Sequence, residues 1–211
     1  MQKRLVRKLD LEKAISEIET HPMPKAYLEQ YTIPSRVAAE VLFVATYVYN
    51  DIIDKKVVDL GCGTGRLAIG AALLGARETF GVDVDKVAVN VARKNAERIN
   101  MKQSTHWIVA DIDVMQGTFD TVLQNPPFGV QRRSADRRFI EKSLELGRRI
   151  YSLHKSGEGN REFIKRFIER HGGKVTGIFP MKMDIPRMFE FHTKKKRSVQ
   201  VDLYRIEGKS L

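Results

Sequence analysis

Val57-Val58-Asp59-Leu60-Gly61-Cys62-Gly63-Thr64-Gly65 decides the reading of the fold. A short apolar run ends in an acid, a glycine-rich turn follows, and Arg66 to Leu74 continue with helical apolar spacing. Strand, glycine turn and helix in that order form a nucleotide-type cofactor loop in a parallel α/β sheet. The glycines let the backbone bend tightly and approach a ligand. The spacing is G-x-G-x-G, and Arg66 stands where a dinucleotide loop has its last glycine, which argues against NAD or FAD.

The pattern repeats downstream. Thr79 to Val82 form a second apolar run ending at Asp83, whose carboxylate can accept from both hydroxyls of a ribose; Val84 adjoins it. His106 to Ala110 form a third, ending at Asp111, an acceptor for an adenine amino group, with Ile112 placed to pack on the ring. Any one of these acids alone is more often a helix cap or a strand-end turn residue. Three at successive strand ends beside a glycine loop read as a site.

From Lys56 onward strands and helices alternate. Strands are expected at 56–60, 78–83, 105–110, 119–124, 150–154 and near 173–179 and 199–206, and helices at 65–75, 86–99, 136–149 and 160–171. Alternation of this kind makes a mostly parallel sheet with helices on both faces. Upstream, 3–20 read as a basic-to-amphipathic helical arm with Asp10 as a cap, and a second helix runs from Pro34 to about Tyr49. Its Val37, Val41, Leu42, Val44, Ala45 and Val48 form one apolar face. The connection 180–198, with Met181, Met183, Met188, Phe189 and Phe191 among basic residues, reads as a flap. The whole is expected to be one domain over 1–211, with a helical extension at 1–50 and a core at 51–211.

The fourth strand closes on Asn125-Pro126-Pro127-Phe128. This stretch has what is needed to methylate a planar, conjugated amino group, a poor nucleophile because its lone pair is delocalised. The Asn125 side chain and the Pro126 backbone each offer a carbonyl acceptor. Two acceptors on two amino hydrogens localise the lone pair on nitrogen. Pro126 and Pro127 hold the turn rigid, so the acceptors are pre-organised. Phe128 offers a flat face on which a base stacks, worth about 1–3 kcal/mol.

Taken together, these residues resemble a class I S-adenosylmethionine-dependent methyltransferase of the N6-adenine type. Within that group the chain is similar to the archaeal and eukaryotic small-subunit ribosomal RNA adenine-N6 methyltransferases. The similarity extends to Leu28-Glu29-Gln30-Tyr31, Asn125-Pro126-Pro127-Phe128-Gly129, Tyr151-Ser152-Leu153-His154-Lys155-Ser156, Phe191-His192-Thr193-Lys194-Lys195-Lys196 and Val201-Asp202-Leu203. It implies a seven-stranded Rossmann-like sheet whose last strand is antiparallel. It implies S-adenosylmethionine as cofactor, S-adenosylhomocysteine as product, and no metal. The cofactor would be held by Gln30, Tyr31, Thr32, Asp59, Gly61, Cys62, Gly63, Thr64, Gly65, Arg66, Asp83, Val84, Asp111, Ile112 and Asn125. Gln30, Tyr31 and Thr32 would cap its methionine end, although Tyr31 reads equally as core and Thr32 as a helix cap. A small zinc-ribbon activating subunit on a sheet edge is the partner the resemblance suggests.

Charge points to a polyanionic partner. The 211 residues carry a net +11, which favours electrostatic capture of nucleic acid. Residues 131–170 hold twelve Lys or Arg against six Asp or Glu. Arg132, Arg133, Arg137 and Arg138 follow the Asn-Pro-Pro-Phe turn, and Lys194, Lys195, Lys196 and Arg197 form an uninterrupted basic run. Both groups are candidate RNA phosphate contacts. One cysteine, Cys62, excludes an internal disulfide, and the five histidines show no ligand spacing. No apolar stretch approaches the roughly 20 residues of a membrane span, and Met1-Gln2-Lys3-Arg4 opens no secretory signal. The expected location is therefore the cytoplasm. His154 suggests a general base, but the amino nitrogen turns strongly acidic once methylated and needs none. Two other functions compete. A glutamine amide is also planar, so a protein glutamine-N5 methylase fits the same acceptors. A non-catalytic RNA-binding module is the third, opposed by the intact glycine loop and acids.

Overall fold

The computed structural model describes residues 6–128, 135–186 and 196–208. Seven strands form one sheet: β1 (Lys56–Leu60), β2 (Glu78–Asp83), β3 (Thr105–Val109), β4 (Phe119–Gln124), β5 (Gly147–Lys155), β6 (Lys174–Pro186) and β7 (Lys196–Glu207). Their order is β3-β2-β1-β4-β5-β7-β6. β7 runs antiparallel to both β5 and β6, while β1 to β5 pair in parallel. The order reverses between β1 and β4. Successive connections leave that point in opposite directions, so the carboxyl ends of these two strands border a crevice.

Because side chains alternate along a strand, each strand feeds two cores. Val57, Leu123, Leu153 and Leu203 join one with α1 (Lys8–Ser16), α2 (Ser35–Phe43) and α3 (Arg66–Leu73). Val58, Val122 and Ile150 join the other with Ile140 and Leu144 of α5 (Ala135–Leu146) and Ile164 and Ile168 of α6 (Glu158–Arg170). α4 (Lys86–Arg98) follows β2.

Four local expectations are corrected. α1 begins at Lys8, so Asp10 lies in its first turn and accepts from Arg7 Nε at 2.8 Å instead of capping. α2 is capped by Pro34, so Thr32 is no helix cap; it gives way to a π-helical turn at Val44–Val48, which leaves Val48 58% exposed. The helix expected to reach 149 stops at Leu146, and β5 starts at Gly147 opposite Phe119. A β-carbon at 147 would lie 2.4 Å from Val122 Cγ2, so close approach of β5 to β4 requires glycine there. Finally, much of the expected flap is strand: β6 runs to Pro186 and β7 starts at Lys196. Met181 and Met183 are buried with Lys182 exposed between them, a period-2 pattern in residues that seldom signal a strand. Pro180 and Pro186 are tolerated because β6 is an edge strand. Met188, Phe189 and Phe191 lie outside the described residues.

Gly147→Ala should therefore be overpacked against a stiff β-branched neighbour. Denaturant unfolding should show a loss of about 1–3 kcal/mol with unchanged m-value.

Candidate active site

A cavity of about 440 Å³ opens at the carboxyl ends of β1, β2 and β4, large enough for a nucleoside-sized cofactor. Its floor is the loop 61–64. Gly61 and Cys62 donate their N–H groups to Val82 O at 2.9 and 3.0 Å, which ties the loop to β2. Gly63, at φ +52°, donates to Asp83 Oδ2 at 2.9 Å. Gly65, at φ +91°, caps α3; a β-carbon there would lie 2.6 Å from Trp107. Gly65 is a packing and turn residue and does not line the cavity.

The acids differ in environment. Asp59 is 2% exposed; burial raises its carboxyl to about 8, although Ala68 N–H donates to it at 3.1 Å. Burial also raises Asp83, against backbone donors from Asp85 at 2.9 Å and Gly63. Those bonds use one lone pair on each Asp83 oxygen and leave one each for a ligand. Burial pushes the Cys62 thiol well up, so it is no nucleophile here. Asp111 Oδ1 accepts from Asp113 N–H at 3.0 Å and from Arg138 Nη2.

The roof is the segment 27–33, pinned through Asp85. Asp85 Oδ1 caps α4 by accepting Val87 N–H at 2.9 Å. Its Oδ2 faces Gln30 Nε2 at 2.9 Å, Lys25 Nζ at 3.1 Å and His21 Nε2 at 3.3 Å. Burial alone would raise this carboxyl, but bonds from Gln30, Val87 N–H and Lys25 hold it well below the usual carboxylate range. Arg66 donates to Ile33 O at 2.6 Å and so joins the roof to α3.

Gln30, Tyr31, Thr32, Asp59, Gly61, Cys62, Gly63, Thr64, Arg66, Asp83, Val84, Asp111, Ile112 and Asn125 all border this one cavity. Pro127 does too, whereas buried Pro126 and half-buried Phe128 lie beyond its lining. Asn125 Oδ1 is buried, and among the described residues no donor reaches it. The ring of Phe128 packs against the core, with Lys155 Nζ 5.9 Å from its centroid.

The basic candidates separate. Arg138 borders the cavity and is held by Asp111 and Asp113 (Nε to Asp113 Oδ1 3.0 Å), so its charge is engaged inside the protein. Arg137 is exposed. Arg132, Arg133, Lys194 and Lys195 lie outside the described residues; Lys196 and Arg197 open β7. Sequence reasoning missed His21, Tyr27, Glu29, Ile33, Leu67 and Phe139 in the lining, and Asp85 as the roof anchor. The second acid of Asp83-Val84-Asp85 was a signal, although it reads locally only as a cap.

The fold is that of a class I methyltransferase. The family model of ribosomal protein L11 methyltransferase (PrmA) matches residues 44–126. An uncharacterized protein of Methanocaldococcus jannaschii is 40% identical over 96% of this chain and 95% of its own. A Pyrococcus horikoshii crystal structure is 40% identical, covers 97% of this chain and 99% of its own, and superposes with a TM-score of 0.90. The Drosophila melanogaster rRNA N(6)-adenosine-methyltransferase Mettl5 is 34% identical over 93% of this chain and 94% of its own length. The chain belongs to this family of rRNA N6-adenosine methyltransferases.

Behind Asn125 a buried polar row follows: Gln124 Nε2 donates to Ser152 Oγ at 2.9 Å, which lies 2.7 Å from His154 Nε2. Burial pushes His154 down to about 3, against the opposing charge of Asp202. Its ordinary value is about 6.5. The folded value is depressed, so the stability it contributes is present above about pH 6.5 and lost as pH falls towards 3. His154→Gln should flatten the fall in Tm across that window, measured by calorimetry in a pH series.

Proposed function

We propose that the protein transfers a methyl group from S-adenosylmethionine to N6 of an adenosine in small-subunit ribosomal RNA. The carrying observation is the buried Asn125 Oδ1, unpartnered among the described residues, in a residue that borders the cofactor-sized cavity. An unsatisfied buried acceptor costs about 1–3 kcal/mol. A target amino group supplies the missing donor. The acidic lining suits a cationic cofactor: Asp83 takes the ribose hydroxyls, and Asp111 and Ile112 the adenine. Gln30, Tyr31 and Thr32 cover the methionine end.

In this reading, Asn125 Oδ1 and the Pro126 carbonyl each accept one amino hydrogen, and Phe128 stacks the flipped base. S-adenosylmethionine, when bound there, would supply the methyl group from its sulfonium, its carbon–sulfur electrons staying on sulfur as the amino nitrogen takes the carbon. The methylated nitrogen then loses a proton to water. His154 takes no part, being buried against Ser152. Among the described residues no cluster of His, Cys, Asp or Glu is arranged to hold a metal, and the transfer has no step that needs one. No helix in the described residues is long and apolar enough to cross a membrane. RNA would be held by Arg132, Arg133, Arg137 and Lys194–Arg197. The reading includes a zinc-ribbon activating subunit; the open edge of β3 supports it, since an unpaired strand edge can accept another strand.

Two experiments test this. Asn125→Ala should keep fold and cofactor binding but lose about 10²–10³ in the rate of single-turnover methylation of ribosomal RNA. A variant that melts early yet methylates at the parental rate overturns the mechanism. Asp83→Ala should weaken S-adenosylmethionine binding by about 1–3 kcal/mol in calorimetry, because ribose hydroxyls lose their acceptor.

A further inference from the structure

α6 carries a second feature that the methyl-transfer site does not use. Phe163, Phe167 and His171 recur every four residues, so they stand one above another on a single face. The rings of Phe163 and Phe167 are stacked, with centroids 6.0 Å apart and planes at 28°. Phe167 and His171 follow at 4.3 Å and 37°. Arg137 completes the run from α5, its guanidinium carbon 4.6 Å from the Phe163 ring centroid. Four planar groups thus form a ladder.

The ladder is open to solvent at its Phe163 end, while Phe167 and His171 are half-buried. Phe163 is 39% exposed. Beside it is a hollow of about 270 Å³ bordered by Phe163, Phe167, Arg166 and Arg170, with Gly159 and Glu162. An aromatic face bordered by arginines matches the chemistry of a single-stranded polynucleotide: bases stack on rings while phosphates meet guanidinium groups. Arg166 is partly occupied by Glu162 at 2.6 Å. No partner to Arg170 is found among the described residues. From Phe163 to Arg170 the helix rises roughly 10 Å, the length of about three stacked nucleotides at 3.4 Å each.

Position decides the occupant. Arg137 is followed in α5 by Arg138, which borders the cofactor cavity and is bonded to Asp111 and Asp113. The ladder therefore begins one residue from the wall of the proposed active site and leads away from it along α6. α6 carries Arg161, Lys165, Arg166 and Arg170 against Glu158, Glu162 and Glu169, and the chain as a whole is strongly basic, which favours a polyanion.

We infer that the α6 ladder is a second RNA-binding surface, which stacks a single-stranded segment flanking the target adenosine. The inference rests on the RNA-methylating function proposed above. Phe163→Leu keeps apolar volume and removes the aromatic face; Arg170→Gln removes one exposed cation. Affinity for a ribosomal RNA fragment is measured without cofactor, across a salt series, beside melting curves and calorimetry of S-adenosylmethionine binding. Phe163→Leu should weaken RNA binding by roughly tenfold. Arg170→Gln should flatten the log–log salt slope by about 0.7 for one lost phosphate contact on a single strand. Melting and cofactor affinity should match the parent. Parental RNA affinity and salt slope in both variants overturns the inference and assigns this face to a protein contact or to self-packing. Because binding is read separately from transfer, a parent that binds RNA through α6 but moves no methyl group upholds the ladder and fails only the proposed activity.

Discussion

The Asp85 carboxylate is the point on which the site depends. It sits at the end of β2, 4% exposed, where an unpartnered charge would cost several kcal/mol. It is held there by donors from both sides of the cavity. Val87 N–H comes from α4, whereas Gln30, Lys25 and His21 come from a segment more than fifty residues upstream in sequence. One buried charge therefore caps a helix and fastens the cavity's roof to its floor. Because those donors hold it well below the usual carboxylate range, it stays ionised throughout the neutral range. The same acid explains the positive φ of Glu29, +50°. The chain must turn sharply there to bring Gln30 to Asp85 while presenting Tyr31 and Thr32 to the cavity, a local strain held by the bonds on either side.

Much of this site is legible in the sequence because its signals are local. The β1–loop–α3 unit is read from apolar runs and glycine spacing, and the positive φ values of Gly63 and Gly65 are what that spacing demands. Asp83, Asp111, Ile112 and Asn125 are recognised by standing at strand ends, and the topology brings them to one cavity. What is not legible depends on distant partners. Nothing near Asp85 in sequence tells of His21, 64 residues away. Arg138 sits in a basic tract and reads as a phosphate contact, yet Asp111 and Asp113, more than twenty residues upstream, claim it. The extra length of β6 and β7 is hidden in Met, Lys and Pro residues, which reveal a strand only when a neighbouring strand pairs with them. Gly147 falls inside the helix expected over 136–149, and only contact with Val122 shows what the glycine is for.

Asn125 divides two adjoining environments. Ahead of it lies the cavity lined by Asp59, Asp83 and Asp111. Behind it, Gln124, Ser152 and His154 form a row without ionised groups, where burial suppresses the only titratable member. Such a row gives the adjoining strand ends fixed partners without placing an ionised group there. Farther along, Asp202 is fully buried and takes two bonds of 2.7 Å from Arg161. That pairing ties α6 to β7.

Charge is partitioned in the same manner over the whole molecule. The chain is basic overall, yet among the described residues the cavity is bordered by Asp59, Asp83, Asp111 and Glu29, with only Arg66 and Arg138 as cations. Both are spoken for: Arg66 by backbone carbonyls of Ile33 and Ile18, Arg138 by Asp111 and Asp113. Among the described residues, the cationic cofactor proposed above would therefore meet one guanidinium hydrogen-bonded to carbonyls and one paired with two carboxylates. A polyanion approaching from outside meets exposed arginines, beginning with Arg137. At +11 a uniform distribution would repel the cofactor from the same protein that attracts RNA. The Arg138 pairing prevents this at the boundary between the two regions. It cancels charge at the cavity wall while leaving its neighbour Arg137 free to face outward onto Phe163. Burial of Asp59, which favours its protonated form near neutral pH, completes the balance. An empty cavity is spared the full cost of three adjacent carboxylates, and an arriving cation supplies the partner that favours ionisation.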